Sequence, residues 1–405
     1  MRILAVTDMF PWPMTKGGDI RKATMIEALS RLGELDFFSL YHIEFPDLIV
    51  PSRIRLHRMG AASYPSNEIS GRWRYTWPVQ RGVPLWIAQR MADGRPRAMF
   101  REFVADEYDV VWFSTAMVWA WLGRPDLGPT VVDLDDLGDV KERQQLAMNR
   151  SQPLGGPVDL VRRTLTEAKM RMNAYDWGEI QRDASRQADR TVVCSAVDAA
   201  RLGVGNVVVV PNTYPEPERP VGKAEASDPA TILFPATFDY APNAEGAQWL
   251  VRDLAPAIRA SIPGVQIRLA GKSTPETEAL SDGSAVTVTG LVPSMEDELA
   301  QADLVIVPLR RASGTRLKIL EAFAHRVPVV STTLGAEGLA AVDGTHLLIA
   351  DDPEAIAEAC ARLCGDLELR QRLVDAAQVL YRERYTADAA REIIRDVVDD
   401  IAPRP

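Results

Sequence analysis

Short runs of β-branched and aromatic residues alternate with longer amphipathic stretches along the whole chain. In the first half the runs are RILAVTD (2–8), LDFFSLY (35–41), YDVVWFS (108–114), TVVDLD (130–135), RTVVCS (190–195) and VVVVPN (207–212). In the second half they are TILFPAT (231–237), VQIRLAG (265–271), VTVTG (286–290), LVIVPL (304–309) and VPVVSTT (327–333). Most are unbroken Val/Ile/Leu without polar alternation, the pattern of strands covered on both faces and therefore of parallel sheets. Strand–helix–strand alternation places the chain in the doubly wound α/β class. The series occurs twice, and the break between the copies is YPEPERP (214–220), three prolines in seven residues, followed by polar sequence to 228. That composition predicts a linker. The 405 residues suit two domains of about 200 residues better than one core. The division expected is a first domain over 1–215, a linker over 216–228, a second domain over 229–380 and a final helix over 381–405. Asp352-Pro353 predicts an N-cap followed by Pro at the first helical position.

Hydrophobic residues make up 46% and charged residues 25%, a globular composition. No apolar run exceeds strand length, so no segment is predicted to span a bilayer. The opening residues lack the basic, apolar and small-residue pattern of a secretory leader, which leads to the expectation of a cytoplasmic protein. Cys194, Cys360 and Cys364 show no second cluster for a metal, and buried reduced thiols are expected. The net charge of −10 argues against a nucleic-acid partner. The charge is uneven, however. Residues 53–101 hold ten arginines against Glu68 and Asp93, with Trp73, Trp77 and Trp86 among them. A solvated helical insertion whose tryptophans complete the core fits this segment. So does a surface for an anionic acceptor, or a peripheral contact with the inner face of a membrane.

In open parallel sheets, ligands bind beyond the carboxyl ends of strands, near helix N-termini. Three strand ends carry candidate chemistry. After RILAVTD comes FPWPMTKGG, in which Gly17 and Gly18 at a helix start allow backbone N–H groups to approach an anion. No GxGxxG follows, which disfavours a dinucleotide site. After LVIVPL comes RRASGTRLKILEAFAHRVPVVSTTLGAEGL. Ser313, Gly314 and Thr315 read as a capped helix start with Arg316 and Lys318 in its first turns. Two cations at a helix N-terminus suit a diphosphate, and Glu321 one turn later suits a pair of vicinal hydroxyls. An ordinary i,i+3 pair between Lys318 and Glu321 is the competing reading. The third strand end is TVVDLDDLGDV, with Asp133, Asp135 and Asp136. Its DxD pattern fits a metal bridging a diphosphate, and equally fits carboxylates that cap turns. His42, His57, His325 and His346 show no ligand spacing.

The stretch GTRLKILEAFAHRVPVVSTTLGAEGL resembles the C-terminal motif of the group 1 (family 4) glycosyltransferases, a retaining GT-B family. PWPMTKGGDIRKATMIEALSRLG resembles the family's Gly-rich loop and helix, and SAVDAARLGVGNVVVVPNTY its hinge region. The final helices resemble its C-terminal tail, so the likeness extends over nearly the whole chain, with a flavour of bacterial exopolysaccharide and envelope enzymes. Three positions depart from the pattern. The first of the family's two glutamates falls on Ser313. Phe238 and Asn243 stand near the places where Arg and Lys are usual. Ser114 and Thr115 stand where many members have a histidine.

The resemblance implies a GT-B fold, two Rossmann-like domains facing a cleft, with the C-terminal helix crossing back to the first domain. It implies transfer of a sugar from a nucleotide-diphosphate donor to a glycan, lipid-linked or small-molecule acceptor, with retention. Neither metal nor other cofactor is expected, since Arg316 and Lys318 would neutralise the diphosphate. Glu321 would hold the ribose; Gly17, Gly18, Ser313, Gly314, Thr315 and Asn243 would complete the donor site. Asp136 is the acceptor-side candidate. Two other functions fit the same fold: a nucleotide-sugar epimerase, or a nucleotide-sugar-binding subunit without catalysis.

Overall fold

The computed structural model describes residues 1–14, 17–41, 50–61, 94–151, 156–311 and 316–403. The chain divides into two compact units, Met1–Asn212 with Ala390–Pro405, and Thr213–Ala389. Each is a parallel sheet with helices on both faces, a Rossmann-like α/β domain.

In unit 1 the strands are β1 (Arg2–Met9), β2 (Glu34–Tyr41), β3 (Arg58–Ala61), β4 (Val110–Ser114), β5 (Thr130–Asp133), β6 (Arg190–Val193) and β7 (Val207–Val209), in the order β3-β2-β1-β4-β5-β6-β7. The unbroken apolar runs have a direct cause. Leu4, Val6, Phe38, Val111, Phe113 and Val132 pack into one core. Their sequence neighbours Ile3, Ala5, Phe37, Val110, Trp112 and Val131 pack into a second core on the other face. Helix α1 (Gly17–Leu29) covers the second face, and α2 (Arg95–Phe103) and α3 (Ala116–Trp121) add Phe100, Val118 and Trp121 to the first. Helices α4 (Gly138–Ser151) and α5 (Pro157–Gln187) pair with each other, and α6 (Ala196–Leu202) follows β6. Strand β3 lies inside the arginine-rich segment; RMGA has no apolar run to announce it.

In unit 2, β8 (Thr231–Pro235), β9 (Gln266–Ala270), β10 (Val286–Gly290), β11 (Leu304–Val307), β12 (Val329–Ser331) and β13 (Leu348–Ile349) take the order β10-β9-β8-β11-β12-β13. The helices are α7 (Ala241–Trp249), continued by a π turn over Leu250–Leu254, α8 (Ala255–Ser261), α9 (Pro275–Glu278), α10 (Met295–Gln301), α11 (Leu317–Ala324), α12 (Thr333–Ala336), α13 (Pro353–Gly365) and α14 (Leu367–Arg384). Asp352 caps α13, accepting from the Ala355 N–H at 2.9 Å. Cys194 and Cys360 are buried free thiols, and burial raises the pKa of both.

Two stretches read from composition take a more definite form. Residues 214–228, expected as linker, pack within unit 2. The Gly222 N–H donates to the His325 carbonyl at 2.8 Å, and Asp303 accepts from the N–H groups of Ser227 and Thr231. A side chain at Gly222 would lie 2.2 Å from the Arg326 carbonyl oxygen, so the prolines here shape a fitted strap. Helix α15 (Ala387–Ile401) returns the chain to unit 1, where Ala390, Ile394, Val397 and Val398 join the core of Ile3 and Phe37.

A buried ion pair ties α1, β5 and the segment after β7 together. The Arg21 guanidinium donates to both oxygens of Asp133 (2.7–3.1 Å), and also to the Val210 carbonyl and Asn212 Oδ1. Removing one partner strands the other charge in the interior, a cost of about 3–5 kcal/mol. Arg21→Met should therefore lower the unfolding free energy by that amount in urea titration, and adding Asp133→Leu should recover most of it. An unchanged midpoint in Arg21→Met would show that the pair adds nothing.

Candidate functional site

Both strand orders reverse direction once, at β1/β4 in unit 1 and at β8/β11 in unit 2. At such a point the connections diverge and leave a crevice at the carboxyl ends of the strands. The polar candidates collect at these two places.

In unit 2, α7 begins six residues after β8 ends and supplies Asn243 from its first turn. Helix α11 follows β11 and supplies Arg316, Lys318 and Glu321. Lys318 Nζ donates to Asn243 Oδ1 at 2.9 Å and stands 4.6 Å from the centroid of the Phe234 ring. Burial, aided by the nearby Arg316 cation and opposed by Glu321, brings the Lys318 pKa down to about 7. Arg316 is buried, with Nη2 donating to the Leu334 carbonyl at 3.2 Å. Glu321 accepts from the Tyr214 hydroxyl at 2.6 Å, and burial raises its pKa. Lys318 and Glu321 thus have separate partners, Asn243 and Tyr214, in place of the i,i+3 pair with each other. The helix start differs from the expected one. Helix α11 begins at Leu317 with Arg316 as its N-cap, and among the described residues no side chain caps it. Arg316 therefore precedes the first turn, and its guanidinium reaches the Leu334 carbonyl of α12. Ser313, Gly314 and Thr315 lie outside the described residues, as do Trp73, Trp77 and Trp86.

In unit 1 a pocket of about 340 Å³ opens at the switch point, between the ends of β1, β4 and β5 and the bases of α4 and α5. Asp8, Thr115, Asp136, Lys141, Trp177 and Gln181 line it. The carboxylates of the DLDD run have separate fates. Asp133 is committed to Arg21 and also accepts the Asp135 N–H. Asp135 adopts a left-handed backbone (φ 55°), which Asp tolerates better than most residues. Burial, with the Asp136 carboxylate next, pushes its pKa up to about 6, while Arg21 opposes the shift. Asp136 pairs with Lys141 through Oδ2; its Oδ1 is buried and accepts no hydrogen bond among the described residues. Gln181 is 2% exposed and likewise keeps Nε2 without a partner there. Lys22 pairs with Asp8. Gly138 opens α4 because the Trp177 indole lies against it, where a Cβ would come within 2.6 Å of the ring.

Gly17 and Gly18 do begin α1. A Cβ on Gly18 would lie 3.8 Å from Asp135 Oδ2, so a carboxylate already approaches this helix end. Of the basic segment, Arg53 pairs with Glu27, Arg58 lies over the Phe103 ring and Arg97 donates to the Trp121 carbonyl. These three hold unit 1 together. Pattern reading missed Tyr214, Trp177, Gln181 and Lys141. Asp8 alone carried a signal, as the polar residue that ends an apolar run.

Residues 229–366 match the family model described as "Glycosyl transferases group 1". A protein of Klebsiella pneumoniae, named "Uncharacterized 44.6 kDa protein in cps region", is 30% identical over 133 residues. That match covers 30% of this chain and spans about a third (34%) of the relative. Among solved structures, sucrose-phosphate synthase of Thermosynechococcus elongatus superposes with a TM-score of 0.68 at 18% identity, covering 99% of each chain. The OtsA apo structure gives 0.63 at 13% identity, covering all of both chains. HepE of Anabaena in complex with UDP-glucose gives 0.59 at 13%, covering 99% of this chain and all of its own. At these identities the likeness establishes the fold, which is GT-B.

The Lys318 ammonium gives a pH signature. Its folded pKa, about 7, lies below its ordinary 10.5. Between those values the unfolded chain binds the extra proton, so folded stability rises with pH across that window. Wild type should gain on the order of 1–2 kcal/mol relative to Lys318→Met between pH 7 and pH 9, by urea unfolding. A difference between the two proteins that stays constant over this range would place the amine in ordinary solvent.

Proposed function

We propose, from the match of residues 229–366 to the group 1 glycosyl transferase family model, that this chain transfers a sugar from a nucleoside diphosphate donor to a hydroxylated acceptor. The observation that carries this reading is the convergence of Arg316, Lys318, Asn243 and Glu321 at the switch point of unit 2. Two cations of one helix start, one of them held at a pKa near neutrality, suit a ligand that brings its own negative charge. A bound diphosphate would draw a proton onto Lys318 and restore the full positive charge. Glu321, braced by Tyr214 through one oxygen, offers the other to ribose hydroxyls. A uridine diphosphate sugar is the first donor to try, because HepE, a neighbour of the same fold, binds UDP-glucose.

In the reaction the bond from the anomeric carbon to the β-phosphate oxygen breaks and the acceptor oxygen takes its place. The acceptor proton passes to the leaving diphosphate. Charge grows on that diphosphate as the bond lengthens, and fixed cations stabilise it without reorganising. Protein cations make a metal unnecessary, so turnover should persist in excess EDTA; loss of activity restored by Mg²⁺ or Mn²⁺ would reverse this point. Retention of configuration is supported by the resemblance of residues 314–339 to the retaining family, and the anomeric coupling constant of the product tests it.

The acceptor belongs in the pocket of unit 1. Buried Asp136 Oδ1 and Gln181 Nε2 are an acceptor and a donor still to be satisfied, and the Trp177 indole provides a flat apolar wall. A sugar ring laid against the indole, with its hydroxyls toward the polar side chains of Asp136 and Gln181, suits this lining. A glycan of a surface polysaccharide is the acceptor class most in keeping with a relative from a cps region.

Arg316→Ala or Lys318→Ala should reduce kcat/KM about 10²-fold, roughly 3 kcal/mol of transition-state stabilisation, with folding intact. Wild-type kinetics in both would remove the diphosphate from this cluster. Gln181→Ala should raise the acceptor KM about tenfold and leave nucleotide affinity, measured by calorimetry, unchanged. A loss of nucleotide affinity instead would take the acceptor out of the unit 1 pocket.

A further inference from the structure

Helix α5 carries an apolar stripe that no described residue covers. Val158, Val161, Leu165, Ala168, Met172 and Tyr175 recur at alternating spacings of three and four, so they share one face. Val158, Leu165 and Tyr175 are 71%, 67% and 64% exposed, and Leu160 widens the stripe near its start. The eighteen residues from Val158 to Tyr175 extend about 26 Å along the helix, so this is a continuous apolar line. Scattered exposed apolar residues are ordinary; a contiguous row marks an interaction surface.

Cations border the stripe on both edges. Arg162 and Lys169 flank one side and Arg171 the other, all exposed. From 158 to 175 there are four cations against Asp159 and Glu167, in a chain with a net charge of −10. Long basic side chains beside an apolar face can lay their stems along hydrocarbon and carry their charges to a polar boundary. The stripe ends at Tyr175, two residues before Trp177 in the wall of the pocket, and aromatic residues with a polar edge favour the headgroup level.

We infer that this face of α5 docks on an anionic lipid surface, with the apolar row at the acyl boundary and the bordering cations on lipid phosphates. A second copy of the chain is a poorer occupant, because pairing two stripes brings two sets of excess cations together. An acidic bilayer supplies the opposite charge all along the row.

The test is co-sedimentation of the full chain with vesicles of phosphatidylcholine alone or mixed with phosphatidylglycerol. The wild-type chain should bind the mixed vesicles, bind the neutral ones weakly and release as salt rises. Leu165→Glu should lower the partition coefficient about tenfold or more. Arg162→Glu with Lys169→Glu should lower it by a similar factor on mixed vesicles only. All variants should keep the wild-type circular dichroism and nucleotide affinity, since the changed residues are exposed and lie outside both polar clusters. Equal partition of wild type and Leu165→Glu, or no vesicle binding, would overturn the inference. So would a wild-type dimer, seen by light scattering, that Leu165→Glu dissolves, because the stripe would then be an interface between copies.

Discussion

The chemistry of this chain depends on one constraint: in a parallel sheet buried on both faces, polar side chains have few places to go except the carboxyl edge. All strand pairs in both units are parallel, and helices fill both sides of each sheet. The central strands β1, β4, β8 and β11 are therefore mostly Val, Leu, Ile, Phe and Trp. Charge appears where the strand stops, at Asp8 near the end of β1, at Asp135 and Asp136 after β5, and at Arg316 and Lys318 after β11. The reversal of strand order at β1/β4 and β8/β11 opens a crevice at those same ends, so folding and site formation have a common cause.

The two crevices differ in how their charges are balanced. In unit 1 the cations are matched to carboxylates: Arg21 to Asp133, Lys22 to Asp8 and Lys141 to Asp136. Among the described residues lining that crevice, one carboxylate oxygen of Asp136 and the amide of Gln181 have no hydrogen-bond partner, which suits a neutral, hydroxylated ligand. In unit 2, Lys318 faces an amide oxygen and an aromatic ring, and Arg316 faces a backbone carbonyl. Keeping an ammonium buried there beside the Arg316 cation costs free energy, visible as the lowered Lys318 pKa, which Glu321 offsets only in part. An incoming diphosphate removes that cost, so the site is unfavourable when empty and favourable when filled.

Strand positions were legible because double-sided burial leaves a one-dimensional signal. Each of the eleven apolar runs holds a strand of three or more of its residues. The strands without a run, RMGA of β3 and the two-residue β13, escaped for the same reason: edge strands need less apolar sequence. The cluster of Arg316, Lys318 and Glu321 was readable because one helix carries all three. Tyr214 was not, since it comes from a proline-rich stretch whose composition suggests linker but whose backbone is fitted against unit 2. Trp177 and Gln181 were hidden by a helix of 31 residues whose buried base and exposed upper part have different partners. The heptad-like row on α5 is visible in the sequence, but periodicity alone cannot distinguish a buried face from an exposed one. Exposure of Val158, Leu165 and Tyr175 made that distinction.

The most direct measurement of the central claim is the thermal midpoint of the wild-type chain against a panel of UDP, GDP and dTDP and their sugar conjugates. A ligand that binds only the folded state raises the midpoint in proportion to the logarithm of its concentration above Kd. A site built for a nucleoside diphosphate should give such a rise with at least one base, retained by the diphosphate alone and lost with the free nucleoside. A midpoint unmoved by every member of the panel at millimolar concentration would contradict a donor site at Arg316 and Lys318.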